Sequence, residues 1–381
     1  MFSRRSDLDG PETRLARALA EARADGRPLL DLTESNPTRA GLPYDAPAIR
    51  RAIGQPDVLR YEPHPLGTAA ARRAVATHVG AAPERVMLTA GTSEAYAFLF
   101  KLLCDPGDEV LVPRPSYPLL EVIARVEAVR LVPYRLAYDG EWHVDLGSLR
   151  AARTRRTRAV VTVCPNNPTG SYLGRDELRT MAELGLPIVS DEVFAPYALE
   201  PGPGRVRTVR GTSDVLVFSL GGLSKEAGLP QMKLAWAVVS GPDRRVAAAL
   251  GRLEHIADAF LSVGTPVQLA AGALLQATEP TRAAIRQRTR RNLAALRSAV
   301  GETSPVSVLR VEGGWYAVLR IPTTLDEEAW ALALLSAGVV AQPGWLYDFE
   351  SEAYLVVSLL TPEDVFDEGI GRLLRVVDEQ S

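Results

Sequence analysis

Five short stretches carry residue types from which a chemical site could be built: Ala90-Gly-Thr-Ser-Glu-Ala95, Pro113-Arg-Pro-Ser-Tyr117-Pro118, Cys164-Pro-Asn-Asn167-Pro-Thr-Gly170, Ser190-Asp191-Glu192-Val-Phe194 and Ser219-Leu-Gly-Gly-Leu-Ser-Lys225. A lysine amine can attack a carbonyl carbon and ferry protons. A carboxylate can pair with a cation such as a protonated ring nitrogen. A phenol ring in a proline-stiffened loop can stack on a flat ligand. A glycine and two hydroxyls at a helix start present free N–H groups to an anion. Each stretch also has a plainer reading. Thr92 or Ser93 can simply cap a helix, Tyr117 can be a packed surface aromatic, Asn167 can belong to a turn, the acids can cap a helix or meet solvent, and an isolated lysine is normally a solvated charge. Gly91-Thr-Ser-Glu-Ala also reads as a nucleophile elbow with one glycine missing, but the sequence offers no convincing histidine partner for it. A second lysine, Lys233, follows Lys225 by eight residues.

The elements that must position these residues are short apolar runs. They occur at 86–89, 109–112, 129–133, 159–163, 187–190, 214–218 and 234–239, mostly separated by helix-like or loop segments. Continuously apolar strands joined by crossovers predict a largely parallel, seven-stranded sheet covered by helices on both faces. From about 243 to 300 the chain turns rich in Ala, Leu and Arg, which predicts long helices. The runs 306–322 and 353–360, with a helix-like segment between them, predict a smaller α+β unit completed by the N-terminal segment. The expected division is a large domain over 41–285 and a small one from 1–40 and 286–381. There are no internal repeats or low-complexity tracts. In open sheets of this kind ligands bind beyond the carboxyl ends of the strands, and each of the five stretches falls there.

The ordered set TxGxxxA, PxxxYP, NNPTG, DE and SK-x-x-G-L-P resembles the class I/II aminotransferases, fold-type-I enzymes that use pyridoxal 5'-phosphate (PLP). The resemblance runs from about residue 30 to the C-terminus. It implies that Lys225 holds the PLP aldehyde as a Schiff base and shuttles the Cα proton, and that Asp191 keeps the pyridine nitrogen protonated. It further implies that Tyr117 stacks on the ring, that Asn167 donates to the phenolic oxygen, and that Gly91, Thr92 and Ser93 receive the phosphate. Tyr61 matches a tyrosine that reaches the neighbouring subunit's phosphate, which implies a homodimer with shared sites. Ser35, Arg39 and Asn167 are the implied substrate contacts.

Several positions depart from that pattern. Phe194 stands where a tyrosine is common, leaving Asn167 to serve the phenolic oxygen unless Tyr197 reaches in. Gly222 removes a phosphate-binding serine. Lys233 replaces an arginine and offers a point charge in place of a two-pronged donor. Val356 occupies the position of the arginine that grips the substrate carboxylate, with Arg39 or Arg320 as the candidate substitutes. The implied reaction is transfer of an amino group from an amino acid to a 2-oxo acid, in biosynthetic amino acid metabolism. The alternative is a lyase, decarboxylase or racemase that uses the same fold and PLP.

Composition narrows the partners. In 381 residues, 43 Lys+Arg against 46 Asp+Glu give a net charge of −3, with no general attraction for nucleic acid or anionic membrane. Two cysteines and four scattered histidines predict neither a disulfide framework nor a metal site. The charged N-terminus lacks the apolar core of a signal peptide, and no run approaches the length of a membrane span. The expected location is the cytoplasm. A ligand-sensing regulator would need an added DNA-binding domain, for which the roughly 30 residues before the first motif leave no room. A scaffold that has lost PLP is disfavoured by the presence of Lys225, Asp191, Asn167 and Tyr117.

Overall fold

The β-branched runs become strands and the Ala/Leu/Arg-rich segment becomes helices in the computed structural model, which describes every residue except Met1, Asp9, Pro11, Ser213 and Glu352. After a two-residue strand β1 (Leu30–Asp31), the large sheet is built from β2 (Val86–Thr89), β3 (Glu109–Arg114), β4 (Arg130–Tyr138), β5 (Trp142–Val144), β6 (Thr157–Val163), β7 (Ile188–Asp191), β8 (Val217–Gly222) and β9 (Ala235–Ser240). Its order is β2-β9-β8-β7-β6-β3-β4-β5, with β3, β4, β6, β7 and β8 parallel and β9 antiparallel to both β2 and β8. The seven expected strands are all present. The eighth, β5, is a three-residue edge strand that returns antiparallel on β4 after the turn at Gly140, and it is too short to show a pattern of its own.

Alternation along the strands divides the interior. Val110, Val112, Val161, Val189, Phe218 and Leu220 point into one core, against the helices Thr92–Leu103 and Asp243–Asp258. Leu111, Val160, Ile188 and Val217 point into the core on the other face. A sheet covered on both faces needs apolar side chains in both directions, which is why the runs are continuously apolar.

The remaining strands, β10 (Ser307–Val308), β11 (Tyr316–Arg320), β12 (Val339–Val340), β13 (Gln342–Pro343) and β14 (Tyr354–Ser358), form a small antiparallel sheet of order β10-β11-β14-β13 and a parallel pair of β1 with β12. Leu32, Trp330, Leu355, Phe366 and Leu373 belong to its core. The segment after β1 is tied to β14 by Ser358 N–H donating to the Leu32 carbonyl (2.7 Å) and Ser358 Oγ donating to the Glu34 carbonyl (2.7 Å). This contact carries Ser35 to the edge of the large sheet.

Register across the large sheet sets the site. Val163 lies beside Asp191 and Asp191 beside Leu220, while Ala235 is paired to both Gly222 and Thr89. The loops after β2, β6, β7 and β8 therefore open at the same edge.

Candidate active site

At that edge lies a cleft of about 400 Å³ lined by Thr92, Ser93, Tyr117, Asn167, Asp191 and Lys225, together with Ser35. Lys225 sits on a four-residue helix, Leu223–Glu226, that leaves β8 directly. The phenol of Tyr197 donates to the carbonyls of both Lys225 (2.9 Å) and Glu226 (2.8 Å), fixing the end of that turn. The Lys225 Nζ lies 5.4 Å from the centre of the Trp315 ring. Burial lowers its pKa and the Asp191 carboxylate opposes the shift. A larger share of the amine is thereby neutral and nucleophilic than in water.

The two glycines preceding that helix are the last residues of β8. A Cβ on Gly221 would lie 2.5 Å from Trp236 Nε1, and one on Gly222 would lie 2.9 Å from Ala235 Cβ. The close approach of β8 to β9 thus excludes a side chain at the position where a phosphate-binding serine was expected.

Of the two acids at the end of β7, only Asp191 faces the cleft. Glu192 is turned away, accepting from Thr208 Oγ1 (2.8 Å) and the Val209 N–H (2.9 Å). Asp191 accepts from the Val193 N–H at 3.2 Å and from the Tyr96 phenol at 3.4 Å. Burial pushes its carboxyl up to about 6, against the pull of those two donors. A cationic ring nitrogen placed opposite would add a countercharge to that of the Lys225 amine and favour the ionised form.

The helix Thr92–Leu103 begins at Gly91, in extended backbone and with no side-chain cap, so Thr92 and Ser93 are not capping residues. They line the cleft in the first turn. The Lys233 Nζ comes within 3.9 Å of where a Gly91 Cβ would be, and Lys233 itself holds a left-handed backbone, φ 52°, that is strained for lysine. An ammonium beside the positive end of a helix dipole is repelled unless an anion lies between them, so the pair fits a phosphate.

In the third stretch, Asn166 and Thr169 make the turn: Asn166 Oδ1 accepts from Thr169 Oγ1 (3.0 Å) and the Asn166 carbonyl from the Gly170 N–H (2.8 Å). Gly170 has φ 70°, and a Cβ there would strike the Gly313 carbonyl at 2.6 Å. This frees Asn167 to face the cleft, where its buried Oδ1 has no hydrogen-bond partner. The plain turn reading holds for its neighbours and fails for Asn167 itself. A flat phosphorylated pyridine therefore finds a carboxylate, an amide, a ring face, a lysine and an anion cradle around one cleft, and the residues present fit PLP.

Other expected positions fall elsewhere. Tyr197 does not reach into the cleft, because its hydroxyl is committed beneath the Lys225 turn. Phe194 does line the cleft and packs edge-on against Trp315. Val356 is fully buried in β14. Neither substitute for an arginine there lines the cleft: Arg39 is exposed, and Arg320 lies over the Tyr138 ring at 5.8 Å. The cleft's guanidinium, among the described residues, is Arg114, paired to Glu121 (3.1 Å) and Asp348 (3.4 Å). Tyr61 is 79% exposed on a loop away from its own chain's cleft. Tyr96 was missed in the sequence, although its place four residues after Thr92 puts it on the same helix face. Arg114 was overlooked although it lies inside the stretch that carries Tyr117, and Trp315 and Gln342 carried no local signal, because the small sheet approaches the cleft only in three dimensions.

The model for the family "Aminotransferase class I and II" matches residues 27–372. The glutamate-pyruvate aminotransferase AlaA of Escherichia coli (strain K12) is 29% identical over 278 residues, covering 69% of this chain and 66% of that protein. The S-alkyl-thiohydroximate lyase SUR1 of Arabidopsis thaliana is 30% identical over 222 residues, covering 55% of this chain and 48% of that protein. The matches thus span about two thirds or less of these relatives. An alanine aminotransferase from Pyrococcus furiosus superposes with a TM-score of 0.88 at 22% identity over 100% of both chains. A Thermus thermophilus aspartate aminotransferase does so with 0.83 at 24% identity, covering 99% of each. At these identities the superpositions establish the fold.

Proposed function

The chain belongs to the class I and II aminotransferases, and from that premise we propose that it is a PLP-dependent transaminase that moves an amino group from an amino acid to a 2-oxo acid. The observation that carries the reading is the meeting of Lys225 and Asp191 on one cleft, at the ends of the adjacent strands β8 and β7. Bound there, PLP supplies an aldehyde carbon for amines and a conjugated ring that accepts the electrons of a broken Cα–H bond.

The chain's own residues do the rest. Asp191 keeps the ring nitrogen protonated. Tyr117, half exposed at the cleft mouth, covers a ring face. Asn167 donates its amide to the phenolic oxygen, and Gly91, Thr92, Ser93 and Lys233 hold the phosphate. The Lys225 Nζ would hold the aldehyde and would serve as the base that takes the Cα proton and returns it. Ser35 and Asn167 border the substrate, and Arg114 is the cleft guanidinium nearest to the role expected of Arg39. Tyr61 of a second copy completes the phosphate site in a homodimer; in support, Tyr61 and Leu59 are 79% and 93% exposed on one loop. No helix among the described residues is long and apolar enough to cross a membrane. The location we propose, the cytoplasm, follows the sequence expectation.

A half-reaction screen tests the reading. The PLP form is mixed with a panel of amino acids while the absorbance of the lysine-bound cofactor is followed, and then a 2-oxo acid is added. The expected result is discharge by at least one donor and recovery on adding the acceptor, with stoichiometric amino acid formed. Release of ammonia or carbon dioxide without recovery would favour the lyase or decarboxylase chemistry instead. In Lys225→Ala the borohydride-trappable adduct should disappear.

A further inference from the structure

The proposal that follows rests on the PLP reading and extends it to a residue outside the expected set. Asp191 meets few partners. From the helix Leu223–Glu226 it faces Lys225, from its own loop the Val193 N–H, and from the helix Thr92–Leu103 the phenol of Tyr96; its neighbour Glu192 is satisfied elsewhere, by Thr208 and Val209. Tyr96 is 6% exposed, lines the cleft, and its ring packs near Phe100 on the same helix, 6.2 Å between centroids. Its hydroxyl donates to Asp191 Oδ2, at 3.4 Å. The helix that opens with Gly91, Thr92 and Ser93 at the phosphate end of the cleft therefore reaches, one turn later, the carboxylate at the ring-nitrogen end.

We propose that Tyr96 is a positioning residue for Asp191: its phenol O–H donates to Oδ2 and holds the carboxylate ionised and aimed at the cofactor ring nitrogen. The physical case is that the ionised carboxylate of a buried acid survives only as far as donors compensate for lost water. Asp191 has two such donors, and one of them is a backbone N–H that side-chain exchange at Val193, short of proline, leaves in place. The phenol is suited to the task because its own proton is held firmly: burial and the adjacent Asp191 both push its pKa well above the ordinary tyrosine value. It donates to the carboxylate without yielding its proton to it. Because Tyr96 shares a helix with the phosphate cradle, the two ends of the cofactor are referred to one rigid element.

The test compares wild type with Tyr96→Phe, which keeps the ring and removes only the hydroxyl. The dissociation constant is measured for PLP and for the PLP analogue whose ring nitrogen is replaced by C–H. Loss of a hydrogen bond to a charged group is expected to weaken PLP binding about tenfold. The analogue, which gives Asp191 nothing to pair with, should bind both proteins equally. Combining Tyr96→Phe with Asp191→Asn should add no further loss of PLP affinity, since the phenol acts through that carboxylate. Equal weakening of PLP and analogue would assign Tyr96 to packing alone and overturn the proposal, and unchanged PLP binding would do the same. Failure of the wild type itself to bind PLP would instead remove the cofactor reading on which this rests.

Discussion

Asp191 is where stability and function oppose each other in a single side chain. Its carboxyl is raised by burial from 3.8 to about 6. For a group raised on folding, the favourable contribution is complete below the unfolded value and is lost as pH rises through the folded one. The cofactor-free protein should therefore lose stability between about pH 4 and pH 7 on account of Asp191, by at most on the order of 3 kcal/mol. Asp191→Asn removes the titration. The variant's melting temperature without PLP should match wild type near pH 4 and exceed it at pH 7, while its PLP affinity falls. A melting difference that does not change with pH would refute the account. With PLP bound the sign reverses for the wild type, because the carboxylate then meets a cation.

At the scale of elements, the β8–β9 pair and the short helix after it convert one lysine into a fixed group. The glycines there answer to packing: Trp236 and Ala235 occupy the space that side chains at 221 and 222 would need. Introducing the serine expected at that position, Gly222→Ser, should destabilise the protein by about 1–3 kcal/mol through overcrowding. It should also leave PLP affinity unimproved, as thermal melts and equilibrium dialysis would show; tighter binding at unchanged stability would contradict the packing argument. The same pair shows what could and could not be read in the sequence. Strands β2, β3, β4, β6, β7, β8 and β9 were legible because burial on both faces demands unbroken apolar runs, and the cleft motifs were legible because they sit at strand ends in a recognisable order. Edge strand β5 was too short to register. The role of Gly222 was hidden because nothing local to it records how near Ala235 comes. Tyr197 looked like a candidate for the cleft because sequence spacing does not say which side of the helix Leu223–Glu226 it lies on.

Across the whole molecule, one buried carboxylate joins the two sheets. Glu312, 1% exposed, precedes β11 of the small sheet. It accepts from the Tyr172 N–H (3.1 Å) beyond β6, and from the Gly202 N–H (2.8 Å) and Arg205 Nε (2.9 Å) beyond β7. Arg205 also donates to the Trp142 carbonyl on β5 at 3.0 Å. The chain next to Glu312 is laced to the segment that carries Tyr197, through the Leu199 N–H to the Glu312 carbonyl (2.9 Å) and the Gly314 N–H to the Tyr197 carbonyl (2.9 Å). Glu312 thus holds in place both Trp315, which lies near the Lys225 amine, and Tyr197, which anchors the Lys225 turn. Removing the carboxylate leaves Arg205 buried with its main partner gone. Glu312→Ala is expected to cost about 3–5 kcal/mol in unfolding free energy, the usual penalty for breaking a buried pair from one side. Replacing both partners with apolar residues, Glu312→Leu with Arg205→Met, should recover much of that loss because the charge left behind, on Glu141, is exposed to solvent. Denaturant unfolding of Glu312→Leu, Arg205→Met and the double variant measures the coupling. If the double variant is no more stable than Glu312→Ala, the backbone N–H groups of Tyr172 and Gly202, and not Arg205, are what make Glu312 indispensable.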